Sequence, residues 1–387
     1  MIIWLISKFP YTNIINKFIM KKVCWITADY FLDCDLNMEF MSTILKEIQV
    51  YWIIIIGQHS RYSETDLRDF NNIENLTIKI IHIKSRARNI HTTYEYLNIN
   101  NLISKTNSDI IYINVSPASP FLIPFFLLIP SRQSIITSHQ GKVHDGMQPK
   151  WLFKIIRKIT YSHFKYVNMF SKSQSNLFLQ DFPLKKIFTF KLGLKDFGIP
   201  TIKEKDKKII RFLSFGTINY AKNIDLLIEA ACNLYEKGYN NFVVSINGVC
   251  NNWSFYQKKI KYPQIFELDI RMIENTEIAN LFAKSHYFVQ PYRIVTQSGP
   301  MKIAYKYNVP VIVSDLPGFL DELKEGVTGY SFKHENKESL EQTMQDIIDQ
   351  HTANYEKLRL KMKQYIKEEY SPSMLAQQYI KMFNSID

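Results

Sequence analysis

The chain has 387 residues, longer than one usual domain, and its 46% hydrophobic and 22% charged residues are the composition of a folded globular protein, not of a disordered or fibrous one. A formal net charge of +12 points to anionic partners: nucleotide diphosphates, lipid phosphates, a membrane surface or nucleic acid. The basic residues are spread along the chain with no RNA- or DNA-binding signature, which disfavours nucleic acid, and the four scattered cysteines, Cys24, Cys34, Cys232 and Cys250, form no C-x-x-C pair and read as reduced thiols of a cytosolic protein.

Residues 1–20 lack the small-residue cleavage site of a secretory signal, and Pro10 interrupts an amphipathic segment carrying Lys8 and Lys17, so they read as an N-terminal extension with Met20 as an alternative start. From Lys21 the run KKVCWITADYF begins as the first buried parallel strand of an α/β sheet does. Further strands are predicted at Tyr51–Ile56, Ile78–Ile83, Ile110–Val115, Ser134–Ser138 and Tyr166–Phe170, with helical stretches between several of them. Phe121–Ile129, the richest apolar stretch, falls far short of the roughly 20 residues of a membrane span and contains Pro124, so a buried helix is expected. From Trp151 to Lys165, WLFKIIRKITYSHFK interleaves apolar residues with Lys154, Arg157, Lys158 and Lys165. Such a segment is either an ordinary amphipathic helix with a solvated basic face or a face that rests on anionic lipid.

A polar connector, TIKEKDKKI at 201–209, precedes a new strand at 210–216, and the βα alternation restarts. Strands are expected at Phe242–Ile246, Ile265–Leu268, Tyr287–Gln290 and Val311–Val313. A helical pattern then runs from Lys337 to the end, broken near Ser371 and Pro372, and its last piece is expected to cross back to the first domain. The division is therefore 21–200, 201–370 and a returning helix at 371–387. Two Rossmann-like α/β domains would face each other across a cleft lined by the carboxyl ends of both sheets, where ligands of such folds bind.

Two stretches carry chemistry. In FGTINYAKNIDLLIEA, a strand ends at Gly216, a loop carries Thr217 and Lys222, and a helix follows. Glycine lets backbone approach a phosphate and the lysine can neutralise it, although a plain βα turn with a solvated lysine reads the same way. In PYRIVTQSGPMKIAYKYNVPVIVSDLPGFLDELKEGVTGYSF, Thr296, Gln297, Ser298 and Gly299 precede a helix that starts near Pro300. The positive end of that helix suits a pyrophosphate. After it come the strand PVIVSD, a glycine-containing turn, a short helix and a closing hairpin-like segment.

In this order and separation the two stretches resemble the donor domain of the family 4 retaining glycosyltransferases, over most of 210–335. The resemblance rests on NVPVIVSDLPG and EGVTGYSF, similar to that family's G-x-P-V-V-x-S/D-x-x-G and G-x-T-G elements. It is thinner in the first domain: Ser134–Ser138 followed by His139 is similar to the family's strand-plus-histidine, whose side chain approaches the donor sugar. VNMFSKSQSNLFLQDF followed by KKIFTFKLGLKDF, with Gly193 and Asp196, looks like its run into the linker, and YSPSMLAQQYIKMF looks like its terminal helix. The resemblance implies a GT-B fold and metal-independent, retaining transfer of a sugar from a nucleotide-diphosphate sugar, with no cofactor. In this picture Lys222 and the helix start at Ser298 and Gly299 stabilise the leaving diphosphate, and His139 positions the sugar.

One departure stands out. The family's two glutamates in E-x7-E spacing fall on Val295 and Ile303, so both carboxylates are absent. A subset of the family reads T/S-Q-S-G here, which makes Gln297 and Ser298 the neutral substitutes. With Thr217 where an arginine often stands, Lys222 and Arg293 remain as the cations of the donor site.

Asp33 and Asp35 form a D-x-D that could bind a metal with a diphosphate, but directly after the first strand they read better as an acceptor-side loop. His144 and Asp145, in SHQGKVHDG, lack a third ligand and are likewise assigned to the acceptor side. The acceptor implied by the resemblance and the charge is a glycan, free or polyprenyl-linked, met in the cytoplasm at the inner face of the cell membrane. Two other readings stay open: a GT-B nucleotide-sugar epimerase, and a non-catalytic nucleotide-sugar-binding protein that lost activity with Val295 and Ile303.

Overall fold

The structure is a computed structural model and describes residues 20–29, 38–58, 60, 73–143 and 149–386. Seven strands, β1 (Lys21–Ala28), β2 (Ile48–Ile56), β3 (Leu76–His82), β4 (Ile110–Asn114), β5 (Ser134–Ser138), β6 (Tyr166–Met169) and β7 (Lys186–Thr189), form one parallel sheet in the order β3-β2-β1-β4-β5-β6-β7. Runs such as YWIIII in β2 are apolar at every position because both faces of the sheet are covered. On one face α1 (Met38–Ile44) packs with the last helix of the chain. On the other lie α2 (His91–Lys105), α3 (Ile123–Leu128), α4 (Lys150–His163) and α5 (Lys172–Asp181).

β7 was not expected from the sequence. It is an edge strand whose end residues are exposed and whose middle two are half-buried, so it lacks the apolar run that marks its neighbours. The stretch from Phe121 to Ile129 holds a helix as expected, α3 after a 3-10 turn, but it is only partly buried: Phe125 and Phe126 enter the core while Leu127 and Leu128 face out at 43% and 64% exposure.

The second sheet, also parallel, has the order β10-β9-β8-β11-β12-β13. Its strands are β8 (Ile210–Phe215), β9 (Phe242–Asn247), β10 (Phe266–Asp269), β11 (Tyr287–Gln290), β12 (Val311–Ser314) and β13 (Gly329–Phe332). Between them run α6 (Ile224–Glu236), α7 (Trp253–Gln257), α8 (Asn275–Ala283), α9 (Gly299–Lys306) and α10 (Pro317–Leu320), and α11 (Lys337–Glu369) follows. The hairpin-like reading of EGVTGYSF is corrected: β13 pairs in parallel with β12. Gly329, at φ +154, lies so close to β12 that a Cβ there would stand 1.9 Å from the Val311 carbonyl oxygen, so only glycine fits.

The final helix, α12 (Pro372–Asn384), starts where the Ser371 hydroxyl caps the Met374 N–H at 3.3 Å and Pro372 occupies the first turn. It packs in the first domain, where Tyr379 stacks on Trp25 with ring centroids 5.2 Å apart. In each sheet the strand order reverses next to the first strand, between β1 and β4 and between β8 and β11. Such reversals open a crevice at the carboxyl ends of the strands.

Candidate functional site

At the crevice of the second sheet, β8 gives way to Gly216, which adopts φ +116. A Cβ on Gly216 would meet Pro300 at 4.0 Å, so the loop after β8 adjoins the N-terminus of α9. Gly248, after β9, is pressed against the same loop: a Cβ there would lie 2.0 Å from the Gly216 carbonyl oxygen. Both turns take a positive φ that favours glycine, +116 at Gly216 and +140 at Gly248, and at Gly248 the close approach of the two backbones excludes any side chain. Thr217, beyond them, is exposed.

Lys222 lies on a short 3-10 turn, Tyr220–Lys222, ahead of α6. Its Nζ sits 3.7 Å from the centroid of the Tyr292 ring. The Tyr292 hydroxyl accepts from Gln290 Nε2 at 2.9 Å, and the same Nε2 donates to Ser298 Oγ at 2.6 Å. Lys222 and the start of α9 therefore belong to one network, built on side chains from β11 and the loop after it. Sequence reading missed Gln290 and Tyr292. The signal was the polar residue ending an otherwise apolar strand, next to a proline and an aromatic.

Ser298 is the N-cap of α9, and its oxygen also accepts from the Met301 N–H at 3.2 Å. Pro300 has no N–H, which leaves Gly299 as the first-turn amide able to meet an anion. The helix start is thus a narrower donor than a generic helix N-terminus. The linker adds charge there, since Lys195 Nζ lies 3.0 Å from where a Gly299 Cβ would be. Gln297 Nε2 is buried with no protein acceptor. The backbone carbonyls of Val295 and Thr296 press against Gly318 at the start of α10, 2.9 and 2.8 Å from its would-be Cβ.

Arg293 has a different placement from the one its charge alone implied. Its guanidinium pairs with Asp225 at 3.2 Å and with Glu335 at 3.2 Å, donates to the Tyr220 carbonyl at 2.9 Å, and stacks over the Tyr220 ring at 4.5 Å. Its backbone N–H donates to the Ala221 carbonyl at 2.9 Å. Burial works against its charge, yet the Asp225 hydrogen bond and carboxylate outweigh it and raise the pKa. Arg293 braces the Lys222 loop through these protein partners.

The positions of the missing glutamates are filled by apolar packing. Ile303 is buried in the second domain's core, and Val295 packs against that core. Beside them, Lys302 is fully buried, ion-paired with Glu322 and 3.3 Å from the Tyr370 hydroxyl.

In the first domain, at the strand-order reversal of its sheet, Asn114 ends β4 and His139 follows β5. The Asn114 side-chain oxygen accepts from the Thr137 hydroxyl at 2.9 Å and from His139 Nε2 at 3.1 Å, so that ring nitrogen carries a proton. The loop after His139 is held by Arg157, which donates to the carbonyls of Gln140 and Gly141 and lies 4.7 Å from the Phe178 ring. Burial lowers the pKa of this arginine, and the nearby Tyr161 and Asp181 counter it only in part. Phe170, 5.0 Å from the His139 ring, leads into the contact between the domains. There Asp321 of the second domain accepts from Ser171 Oγ at 2.5 Å and from Ser173 N and Oγ at 2.8 Å, at the N-terminus of α5. A cavity of about 510 Å³ opens at this junction, and its lining includes Asp321 and Glu322 but no residue of the Lys222 loop or of 295–299.

Asp33, Asp35, His144 and Asp145 lie outside the described residues. Among the described residues, no cluster of three His, Cys, Asp or Glu side chains is placed to hold a metal ion.

Two parallel α/β domains, each with a strand-order reversal beside its first strand, define a protein of the GT-B glycosyltransferase fold. Residues 197–369 match the family model of the glycosyl transferases group 1. Solved structures share the fold across almost the whole chain. A glycosyltransferase from Rickettsia africae superposes with TM-score 0.69 at 13% identity, covering 95% of this chain and 99% of its own. Sucrose-phosphate synthase from Thermosynechococcus elongatus gives 0.69 at 11% identity, covering 94% and 98%. HepE from Anabaena, in complex with UDP and glucose, gives 0.68 at 10% identity, covering 94% and 100%. No curated protein matches the chain in sequence.

Proposed function

We propose that the protein is a glycosyltransferase that binds a nucleotide-diphosphate sugar at the crevice of its second domain and passes the sugar to a glycan acceptor held by the first. The observation that carries this reading is the Lys222–Tyr292–Gln290–Ser298 network, which joins a cation to the start of α9 at the strand-order reversal of the sheet. The match of 197–369 to the group 1 family, and a structural neighbour whose description names UDP and glucose, support it.

In this mechanism Lys222, Lys195 and the Gly299 amide meet the diphosphate, and their positive charge stabilises it as the bond to the anomeric carbon breaks. Gln297 Nε2 donates to the diphosphate or the sugar, and His139, oriented by Asn114, positions the sugar from the other side. Transfer proceeds with retention and without a metal, as in the family 4 subset with T-Q-S-G. The acceptor is a polyprenyl-linked or free glycan, a hydroxyl nucleophile for which no side chain is assigned as base.

A second reading, a non-catalytic binder of nucleotide sugars, is favoured by one observation: apolar packing at Val295 and Ile303, where the resembling family has carboxylates. Calorimetric titration with UDP, GDP and ADP identifies the nucleotide, and hydrolysis of the corresponding sugar donors then separates the readings. Binding with turnover supports transfer, and binding without hydrolysis or transfer to any glycan supports the second reading. Conversion of the donor into a different nucleotide sugar with no acceptor would identify an epimerase. No nucleotide binding at all would overturn the proposal.

A further inference from the structure

The inward positions of α4 are Ile156, Arg157, Thr160 and Tyr161. Trp151, Ile155 and Ile159, spaced one turn apart, point the other way and are 64%, 46% and 39% exposed. A helix whose whole task was to cover the sheet would present polar residues on that side. Lys154 and Lys158 are exposed beside that row on the same outer face, and α4 contains neither Asp nor Glu. The neighbouring α3 adds Leu128 at 64% exposure. The amphipathic pattern expected from the sequence is thus inverted in part: the helix buries its arginine and exposes its tryptophan.

Apolar side chains interleaved with cations on one face, with no acid among them, complement an anionic lipid surface. Trp and Ile reach the acyl boundary, and the lysines, on flexible stems, stay at the phosphates. The centre of a protein–protein interface, by contrast, is depleted in lysine. Position adds to this. All strands of the sheet are parallel, so a helix that follows a strand begins at the carboxyl edge. Trp151, in the first turn of α4, therefore lies at the edge that also carries His139 at the end of β5.

We propose that the outer face of α3 and α4 docks on an anionic membrane and sets the first domain's side of the cleft against the lipid. Only the link to a lipid-bearing acceptor rests on the function proposed above; docking itself is measured without sugar transfer.

The test is cosedimentation of the full chain with vesicles of phosphatidylcholine alone or mixed with phosphatidylglycerol. The expected result is binding to the mixed vesicles only, weakened by salt. Lys154→Glu with Lys158→Glu, and separately Trp151→Ser with Ile155→Ser, should each lower the partition coefficient about tenfold or more. Lys361→Glu with Lys363→Glu, the same charge change on an exposed part of α11, should leave it within about twofold. Thermal unfolding checks that every variant folds. No binding, binding insensitive to both α4 variants, or a wild-type dimer that the α4 variants dissolve would overturn the proposal. Lys222→Met should keep vesicle binding and lose transfer, so transfer at the wild-type rate with docking intact counts against the sugar-transfer reading alone.

Discussion

Replacing Lys222 by methionine keeps the length of the side chain and removes its charge, so the effects on folding and on the donor separate. In the folded protein the ammonium group lies 3.7 Å from the Tyr292 ring centroid, a half-buried contact worth about 0.5–1 kcal/mol. Its loss should lower Tm by only ~1–4 °C. Against a diphosphate, the same group makes a charge-assisted hydrogen bond of about 1.5–3 kcal/mol. Removing it should therefore reduce kcat/KM by roughly 10- to 150-fold, most of it in kcat if the charge acts on the departing diphosphate. The assay is initial rate against donor concentration, with calorimetric titration of the free nucleoside diphosphate beside it. A variant with kcat/KM within about twofold of wild type and unaltered nucleotide affinity would refute the assignment of the diphosphate to this network.

Other consequences follow from groups outside the cleft floor. Asp321→Ala removes three hydrogen bonds between the domains and should lower the unfolding free energy by about 1–3 kcal/mol, with a larger radius of gyration in small-angle scattering; an unchanged denaturation midpoint would contradict the contact. Lys302→Met alone strands the buried Glu322 carboxylate and should cost about 3–5 kcal/mol, whereas Lys302→Met with Glu322→Leu should recover most of it, read by urea unfolding. His286 is buried, accepts the Arg211 N–H on Nδ1 at 2.9 Å and gives its Nε2 proton to the Asp206 carbonyl at 2.9 Å. Burial, helped by the nearby Lys205 charge, pulls its pKa from 6.5 down to about 3. Between these two values the unfolded chain holds one more proton than the folded one, so the stability present above pH 6.5 is lost as pH falls through that window. In His286→Gln the slope of unfolding free energy between pH 6.5 and about 5 should be shallower than in wild type.

How far the sequence is readable differs from element to element. Ser134–Ser138 and Tyr287–Gln290 are strands with the bounds their apolar runs indicate, because a strand covered on both faces writes its burial into every residue. β7 stayed hidden for the opposite reason, half of it being exposed at the sheet edge. In the candidate site, Gly216, Lys222, Ser298 and Gly299 stand out because turn, cap and phosphate chemistry are local. Tyr292 and Gln290, which join them, carry no local mark.

The chain's order of apolar runs, turns and caps determined two parallel sheets with helices between them, since strand and helix periodicity and capping act within a few residues. Tertiary structure alone decided which cations are committed. Arg293 braces a loop, Arg157 turns inward beneath the His139 loop, Lys302 is buried beside Glu322, and Lys154 and Lys158 face out beside Trp151. A charged side chain's partners come from elements distant in the chain, and the sum of burial and pairing that settles its role exists only once those elements meet.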